Sequence, residues 1–248
     1  MLKKERQNYI LHQINLHNKV LTADLCAAID VSEDTIRRDL QELSDEGRLF
    51  KVHGGALSLS FHSSFRSSNI YAANEKRVIA SKAVQLIKDG MYVMTTGGST
   101  ILEMIRMLPE QLTATFITTS IPAAVEYLQH PNIKLIQIGD IVSKQAQMAV
   151  GGQAIRQIRQ IQADLCILGT NAIDSQKGIT DSDWEVVQVK QAMIESSEKV
   201  MSVAIAEKLD TVQRINVCEA KDIDFLITEK PSNDLSLIPY AKAGITVY

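Results

Sequence analysis

The 248-residue sequence predicts an α/β protein in two parts. A small three-helix unit closed by a hairpin is expected over residues 1–57, and a larger domain, a mostly parallel sheet wrapped by helices, over residues 75–248. Three observations carry this reading. Apolar residues recur at helical spacing as far as Leu43, whereas beyond Asn74 short β-rich runs alternate with helical ones. Between the two lies LSLSFHSSFRSSNIYAAN, rich in serine and without a period, which reads as a linker over residues 58–74. At 45% hydrophobic residues, a chain of this length can bury a sizeable core.

Taken in order, Tyr9, Ile10, Ile14 and Leu16 mark a first helix. Thr22 is a candidate cap for a second, whose apolar side is Leu25, Ala28 and Ile29. Ser32 caps a third. There Ile36, Leu40 and Leu43 form the core side, leaving Thr35, Arg37, Arg38 and Gln41 largely off it. GRLFKVHGGA follows as a strand pair closing on Gly54 and Gly55. Three helices and a hairpin in this order make a winged helix-turn-helix. In the larger domain the β-rich runs are YVMTT, ATFITTS, KLIQIG, DLCILG, KVMSVAI, DFLITE and ITVY, separated by helical runs such as ILEMIRML and EVVQVKQAMIESS.

Cys26, Cys166 and Cys218 are scattered in apolar stretches, which points to buried free thiols and neither disulfides nor a metal knuckle. No apolar run is long enough to span a membrane, and Met1 opens onto KKER without the apolar stretch of a signal peptide, so the expected location is the cytoplasm. The first 57 residues carry 8 Lys and Arg against 9 Asp and Glu, a balance of −1 that gives no bulk support to nucleic-acid binding. Placement matters more than the total, because phosphate attraction acts over roughly 10 Å at ordinary salt. Lys3, Lys4, Arg6, Arg37, Arg38, Arg48 and Lys51 are expected to share a face that the acids avoid.

A helix the length of the third fits a major groove. At its amino end Ser32 can contact a phosphate, Thr35, Arg37, Arg38 and Gln41 lie where base edges or phosphates would be, and Lys51 and His53 in the wing can reach the backbone. Thr22 joins this candidate set. VSEDTIRRDLQELSDEGRLFKVHGGA resembles, nearly position for position, the signature of the DeoR family of bacterial regulators. The resemblance implies that Arg37 and Arg38 make the main DNA contacts and that Asp39 is structural. Lys51 stands where the family usually has arginine, keeping the charge but not the planar fork.

The resemblance runs to the end of the chain, over the family's sensor domain, which is similar to the fold of ribose phosphate isomerase and glucosamine phosphate deaminase. TTGGST at 95–100 follows a strand and opens a helix, so Thr96, Gly98, Ser99 and Thr100 are candidates to cradle a phosphate. TTS with Thr119 and Ser120, VGG with Gly151, and GIT with Gly178 are further loops expected at the carboxyl edge of the sheet, where such folds place ligands. By resemblance, Lys190 and Lys208 occupy basic family positions, and Glu75 with Lys76 match the pair that starts the domain. Thr96 replaces a usual aspartate, which leaves a neutral group where a sugar hydroxyl would be held and suggests an altered effector.

The expectation is therefore a DNA-binding transcription regulator, a repressor of a carbohydrate-metabolism operon. Its partners would be double-stranded operator DNA and a small phosphorylated or otherwise anionic metabolite. It would bind as a homodimer or homotetramer, with no metal, cofactor or catalytic residue. The alternative is a sugar phosphate isomerase or deaminase with an appended DNA module, for which Asp181, Asp183 and Glu185 are candidate bases. A third reading, a protein-interaction module without a DNA role, is open to the acid-rich count.

Overall fold

The computed structural model describes residues 1–17, 19–58 and 71–248. It divides into two compact units, Met1–Tyr71 and Ala72–Tyr248. Residues 59–70, most of the expected linker, lie outside the described residues.

The first unit is built from α1 (Lys3–His17), β1 (Lys19–Leu21), α2 (Thr22–Ile29), α3 (Glu33–Asp45), β2 (Phe50–Val52) and β3 (Gly55–Leu57). Ile10 and Ile14 of α1, Leu25 of α2, and Ile36, Leu40 and Leu43 of α3 meet in one core, the apolar stripes that helical spacing requires. Ser32 caps α3, its hydroxyl accepting from the Thr35 amide. Ala28 is exposed and Ile29 half-buried, so the apolar side of α2 is narrower than its sequence suggests.

The wing has three strands in the order β1-β3-β2, one more than the sequence suggested. Its double glycine has two separate reasons. Gly54 turns at φ +76°, where a side chain would be strained. Gly55 faces β1 so closely that a Cβ there would lie 2.0 Å from the Val20 carbonyl oxygen. Thr22 does not cap α2. It is the first residue of the helix, is buried, and donates its amide to the Gly54 carbonyl at 2.8 Å, clamping the helix to the wing. Ser58, assigned to the linker by composition, is buried in this unit and donates to Asn15 Oδ1.

The second unit opens with α4 (Ala73–Val84), which takes in the last two residues of the expected linker. A seven-stranded parallel sheet follows in the order β15-β14-β12-β9-β4-β5-β6. Its strands are β4 (Tyr92–Thr95), β5 (Thr115–Thr118), β6 (Lys134–Gln137), β9 (Ala163–Gly169), β12 (Ser197–Val203), β14 (Phe225–Ile227) and β15 (Thr246–Val247). The helices between them are α5 (Ser99–Arg106), α6 (Ile121–Tyr127), α7 (Gly152–Ile158), α8 (Trp184–Glu195) and α9 (Ile238–Lys242). Two small antiparallel additions had no counterpart in the sequence reading. One pairs β7 (Ile141–Ser143) with β8 (Met148–Val150); the other sets β10 (Ala172–Asp174), β11 (Gly178–Asp181) and β13 (Ile215–Cys218) side by side. Cys166 and Cys218 are buried free thiols, whereas Cys26 is half-buried. Among the described residues no helix is long and apolar enough to cross a membrane.

Gly55→Ala is expected to push β1 from β3 and lower the stability of the first unit by about 1–3 kcal/mol, the usual cost of overpacking. Denaturant unfolding of the variant tests this, and an unchanged midpoint would mean that the wing does not close on β1.

Candidate functional site

In the first unit, α3 and the wing enclose a groove of about 510 Å³ lined by Thr22, Glu33, Arg37, Lys51 and His53. Arg37 leans toward the groove and pairs with Glu33 one turn earlier at 2.8 Å, both side chains being well exposed. Lys51 of β2 donates to Gln41 Oε1 at 2.9 Å, and Gln41 donates onward to Asp45 at 2.7 Å, which ties the wing to the helix. The Ser32 and Thr35 hydroxyls bond each other at 3.0 Å. His53 is exposed on the wing. Arg38 lies on the side of α3 away from Ile36, Leu40 and Leu43, is exposed, and has no side-chain partner among the described residues. Six of the eight candidate DNA contacts are therefore exposed, Thr35 is half-buried, and Thr22 is withdrawn into the fold.

The acids do not avoid the cations. Lys3 pairs with Glu42 at 2.7 Å, Arg48 with Glu46 at 3.5 Å, and Arg6 with Asp39. Packing of α1 on α3 and the turn after α3 set these opposite charges beside each other, so the uniform basic face expected from the sequence is absent. Arg6 and Asp39 differ from the rest in being largely buried and joined by two hydrogen bonds, from Nε and, at 3.2 Å, from Nη2. They lock α1 to α3 and confirm the structural part expected of Asp39.

In the second unit the carboxyl ends of the strands carry buried hydroxyls: Thr95, Thr96, Thr118, Thr119, Ser120, Thr170, Ser202 and Thr228. Most are spent on the fold. Thr118 donates to the Thr95 carbonyl at 2.8 Å, and Thr170 and Ser202 bond each other at 2.8 Å. Thr96 accepts from the Gly169 amide at 2.8 Å and donates to the Gly97 carbonyl at 3.4 Å, so it is not the free ligand-facing group the sequence suggested. Among the described residues the buried side-chain atom left without a partner is Thr119 Oγ1.

The candidate loops separate by what already fills them. Ser120 caps α6, accepting from the Ala123 amide at 3.3 Å. Gly151 opens α7, but the Asp140 carboxylate occupies that end, accepting from the Gln153 and Ala154 amides at 2.8 and 3.1 Å. A phosphate there would meet a like charge. Asp183 caps α8 in the same manner. Gly178 sits in the β10–β11 hairpin, where a Cβ would come within 2.1 Å of the Cys218 carbonyl oxygen, so close pairing and not a ligand explains it. The amino end of α5 is different: Gly98 caps it without a side chain and no acid stands in its first turn, leaving the Ser99 and Thr100 amides open.

Beside that end lies a cationic cluster. A Cβ on Gly169 would be 2.6 Å from the Gly97 carbonyl oxygen, which fixes how closely the end of β9 approaches the α5 loop. Lys190 of α8, almost fully buried, donates to the Gly169 carbonyl at 3.2 Å and to Asp181 Oδ2 at 2.7 Å. Lys208 donates to the Thr170 carbonyl at 2.9 Å. Its ammonium is pulled down to about 7 by burial first and then by Lys76 and Lys190, with Asp181 opposing. Buried Lys76 falls to about 8, chiefly through burial, while Glu75 and Glu207 act against the fall. Burial works to raise the Asp181 carboxyl, yet Lys190, the Ser182 amide and Asn171 hold it below its ordinary value. Asn171 was not singled out from the sequence; the polar pair directly after DLCILG was the available signal.

The three candidate bases are all otherwise placed. Asp181 is buried in its ion pair, Asp183 caps a helix and Glu185 is exposed.

A winged reader of DNA in one unit and an α/β domain with a basic site in the other make the plan of a DNA-binding transcription regulator. Family models agree, with the DeoR-like helix-turn-helix domain matching residues 6–61 and the DeoR C terminal sensor domain matching residues 71–230. The chain belongs to the DeoR family of transcriptional regulators. It is 30% identical to the HTH-type transcriptional regulator GolR of Listeria innocua, over 100% of this chain and 98% of that protein. It is 29% identical to the glycerol-3-phosphate regulon repressor of Haemophilus influenzae, over 92% of this chain and 90% of that protein. A ribose 5-phosphate isomerase structure from Methanocaldococcus jannaschii aligns with 54% of this chain and 53% of that one, at 21% identity and a TM-score of 0.41.

Asp39→Ala is expected to lower the stability of the first unit by about 1–3 kcal/mol, because Arg6 keeps its place with its partner gone. The double variant Arg6→Ala, Asp39→Ala should cost little more than either single change. A double-mutant cycle in urea checks this, and simple additivity would remove the pair as the lock on α3.

Proposed function

We propose that this regulator is a cytoplasmic repressor of a carbohydrate-metabolism operon that binds double-stranded operator DNA through α3 and the wing and responds to a small phosphorylated metabolite. Residues 1–58 read DNA and residues 73–248 sense, since Ser58 packs with the first unit and α4 begins at Ala73. Arg38, Arg37, Ser32, Thr35, Gln41, Lys51 and His53 form the reading surface. Arg38 is ready to engage, whereas Arg37 must leave Glu33; an exposed pair of this kind is worth only about 0.2–1 kcal/mol, so a phosphate or guanine can outbid the carboxylate.

The observation that carries the effector half is the uncapped amino end of α5 beside Lys190 and Lys208. Open amides, the positive end of a helix and two ammonium groups suit a phosphate. The name of the Haemophilus influenzae relative, glycerol-3-phosphate regulon repressor, supports a ligand of that class. Asp181, Asp183 and Glu185 are committed to other tasks or exposed, which favours a sensor without turnover. Twofold symmetry of paired reading helices on two half-sites accounts for a dimer or a dimer of dimers.

Arg38→Ala is expected to weaken operator binding by about 1–3 kcal/mol if the arginine reads a guanine, and wild-type affinity should drop steeply with added salt. Fluorescence anisotropy with DNA from upstream of the regulated genes measures both. Undiminished binding by the Arg37→Ala, Arg38→Ala double variant would take α3 out of the reading surface.

A further inference from the structure

We propose that the effector carries two anionic groups, one at the amino end of α5 and the second, a carboxylate or another phosphate, on Lys190 and Lys208; this rests on the anionic-effector reading above. Hydrogen-bond supply and demand at the lysine end of the site lead there. Lys190 spends two of its three N–H bonds, on the Gly169 carbonyl and Asp181, and Lys208 spends one, on the Thr170 carbonyl. Three donors stay in hand.

Asp181, the carboxylate that faces them, has no oxygen to spare among the described residues. Asp181 Oδ1 takes the Ser182 amide at 2.7 Å and shares Asn171 Nδ2 with Oδ2, which also holds Lys190. Thr170 Oγ1 is engaged with Ser202 and the Leu168 carbonyl, and Thr96 with Gly169 and Gly97. A sugar hydroxyl brought here would compete for the single lone pairs that Thr96 and Thr170 keep, and a hydrogen left unpaired costs about 1–3 kcal/mol when buried. A carboxylate or phosphate oxygen only accepts.

Charge leads to the same ligand. The groups that face Lys208 are Lys76 from α4, Lys190 from α8 and Asp181 from β11, with Glu207 beside Lys76. Two ammonium groups stand against one carboxylate among the charges acting on Lys208 itself, Glu75 and Glu207 acting on Lys76, and crowding with burial already brings Lys208 down to about 7. An anion set on Lys208 favours its protonated form. Binding just above pH 7 must then draw a proton from solution, and affinity must fall as pH rises further.

Calorimetric titration of the full-length protein with three probes tests this: glycerol 3-phosphate, 3-phosphoglycerate and glycerol 1,3-bisphosphate, which differ at one end only. At least one doubly anionic probe should bind about tenfold tighter than glycerol 3-phosphate, the worth of one charge-assisted hydrogen bond, and which one does so identifies the second group. Lys208→Met should erase that margin, lowering the affinity for the tighter probe about tenfold more than the affinity for glycerol 3-phosphate. Wild-type protein titrated in buffers of different ionisation heat should take up more proton with the tighter probe, a readout independent of how the variant folds. Equal affinities for the three probes, an equal loss of all three in Lys208→Met, or binding without proton uptake each overturns the second anionic group while the single-phosphate reading stands. Failure of all three to bind overturns that reading together with the inference.

Discussion

Two opposite charges lie out of water inside the larger unit, Lys190 and Asp181 at 2.7 Å. Apolar residues of similar volume would generally stabilise a fold as well or better, so the pair has to be understood through what it holds. It joins α8 to β11, and through the second bond of Lys190 it reaches the carbonyl at the end of β9. The end of β9 in turn meets the Gly97 loop that leads into α5. One ion pair thus fixes an ammonium group within the contact network of a helix end that no side chain caps. The amino ends of α6, α7 and α8 are closed by Ser120, Asp140 and Asp183, in contrast to that of α5.

The smaller unit solves a different electrostatic problem with the same elements. Its third helix is acid-rich, and Lys3, Arg37 and Arg48 each have a carboxylate within reach. Exposed pairs are weak and are broken at little cost when a polyanion arrives, whereas Arg6 and Asp39 are shielded and persist. The persistent pair sets where α3 stands; an exposed pair with Glu33 covers Arg37, and Lys51 is held by the Gln41 amide oxygen. An overall charge near neutral is compatible with DNA binding on these terms, because exposed pairs hold their cations only weakly.

Periodicity and local chemistry were enough for much of this. Ile36, Leu40 and Leu43 defined α3, Ser32 its cap, HGGA the wing, and the alternation of β-rich and helical runs the parallel sheet, since each depends on residues within a few positions of one another. The motif around TIRRDL placed the chain in its family before any coordinates. The short strands β1, β7, β10 and β13 escaped, because segments of three or four residues carry no period; β1 and β13 exist through partners far away in sequence, and β7 and β10 through tight hairpins.

The site was legible only in part, and for the same reason. Sequence put Gly98, Ser99, Thr100, Lys190 and Lys208 on one list with Gly151, Gly178 and Thr96, the loop residues as small or polar groups near expected strand ends and the lysines by resemblance to basic family positions. What separates them is occupancy: Asp140 fills the end that Gly151 opens, the Cys218 carbonyl crowds Gly178, and Gly169 takes the Thr96 hydroxyl. Sequence alone settled the elements, the family and the residue types able to hold an anion. Tertiary structure decided which of those residues still have a bond to give, because a donor or acceptor is spent or spared only by neighbours that folding brings to it.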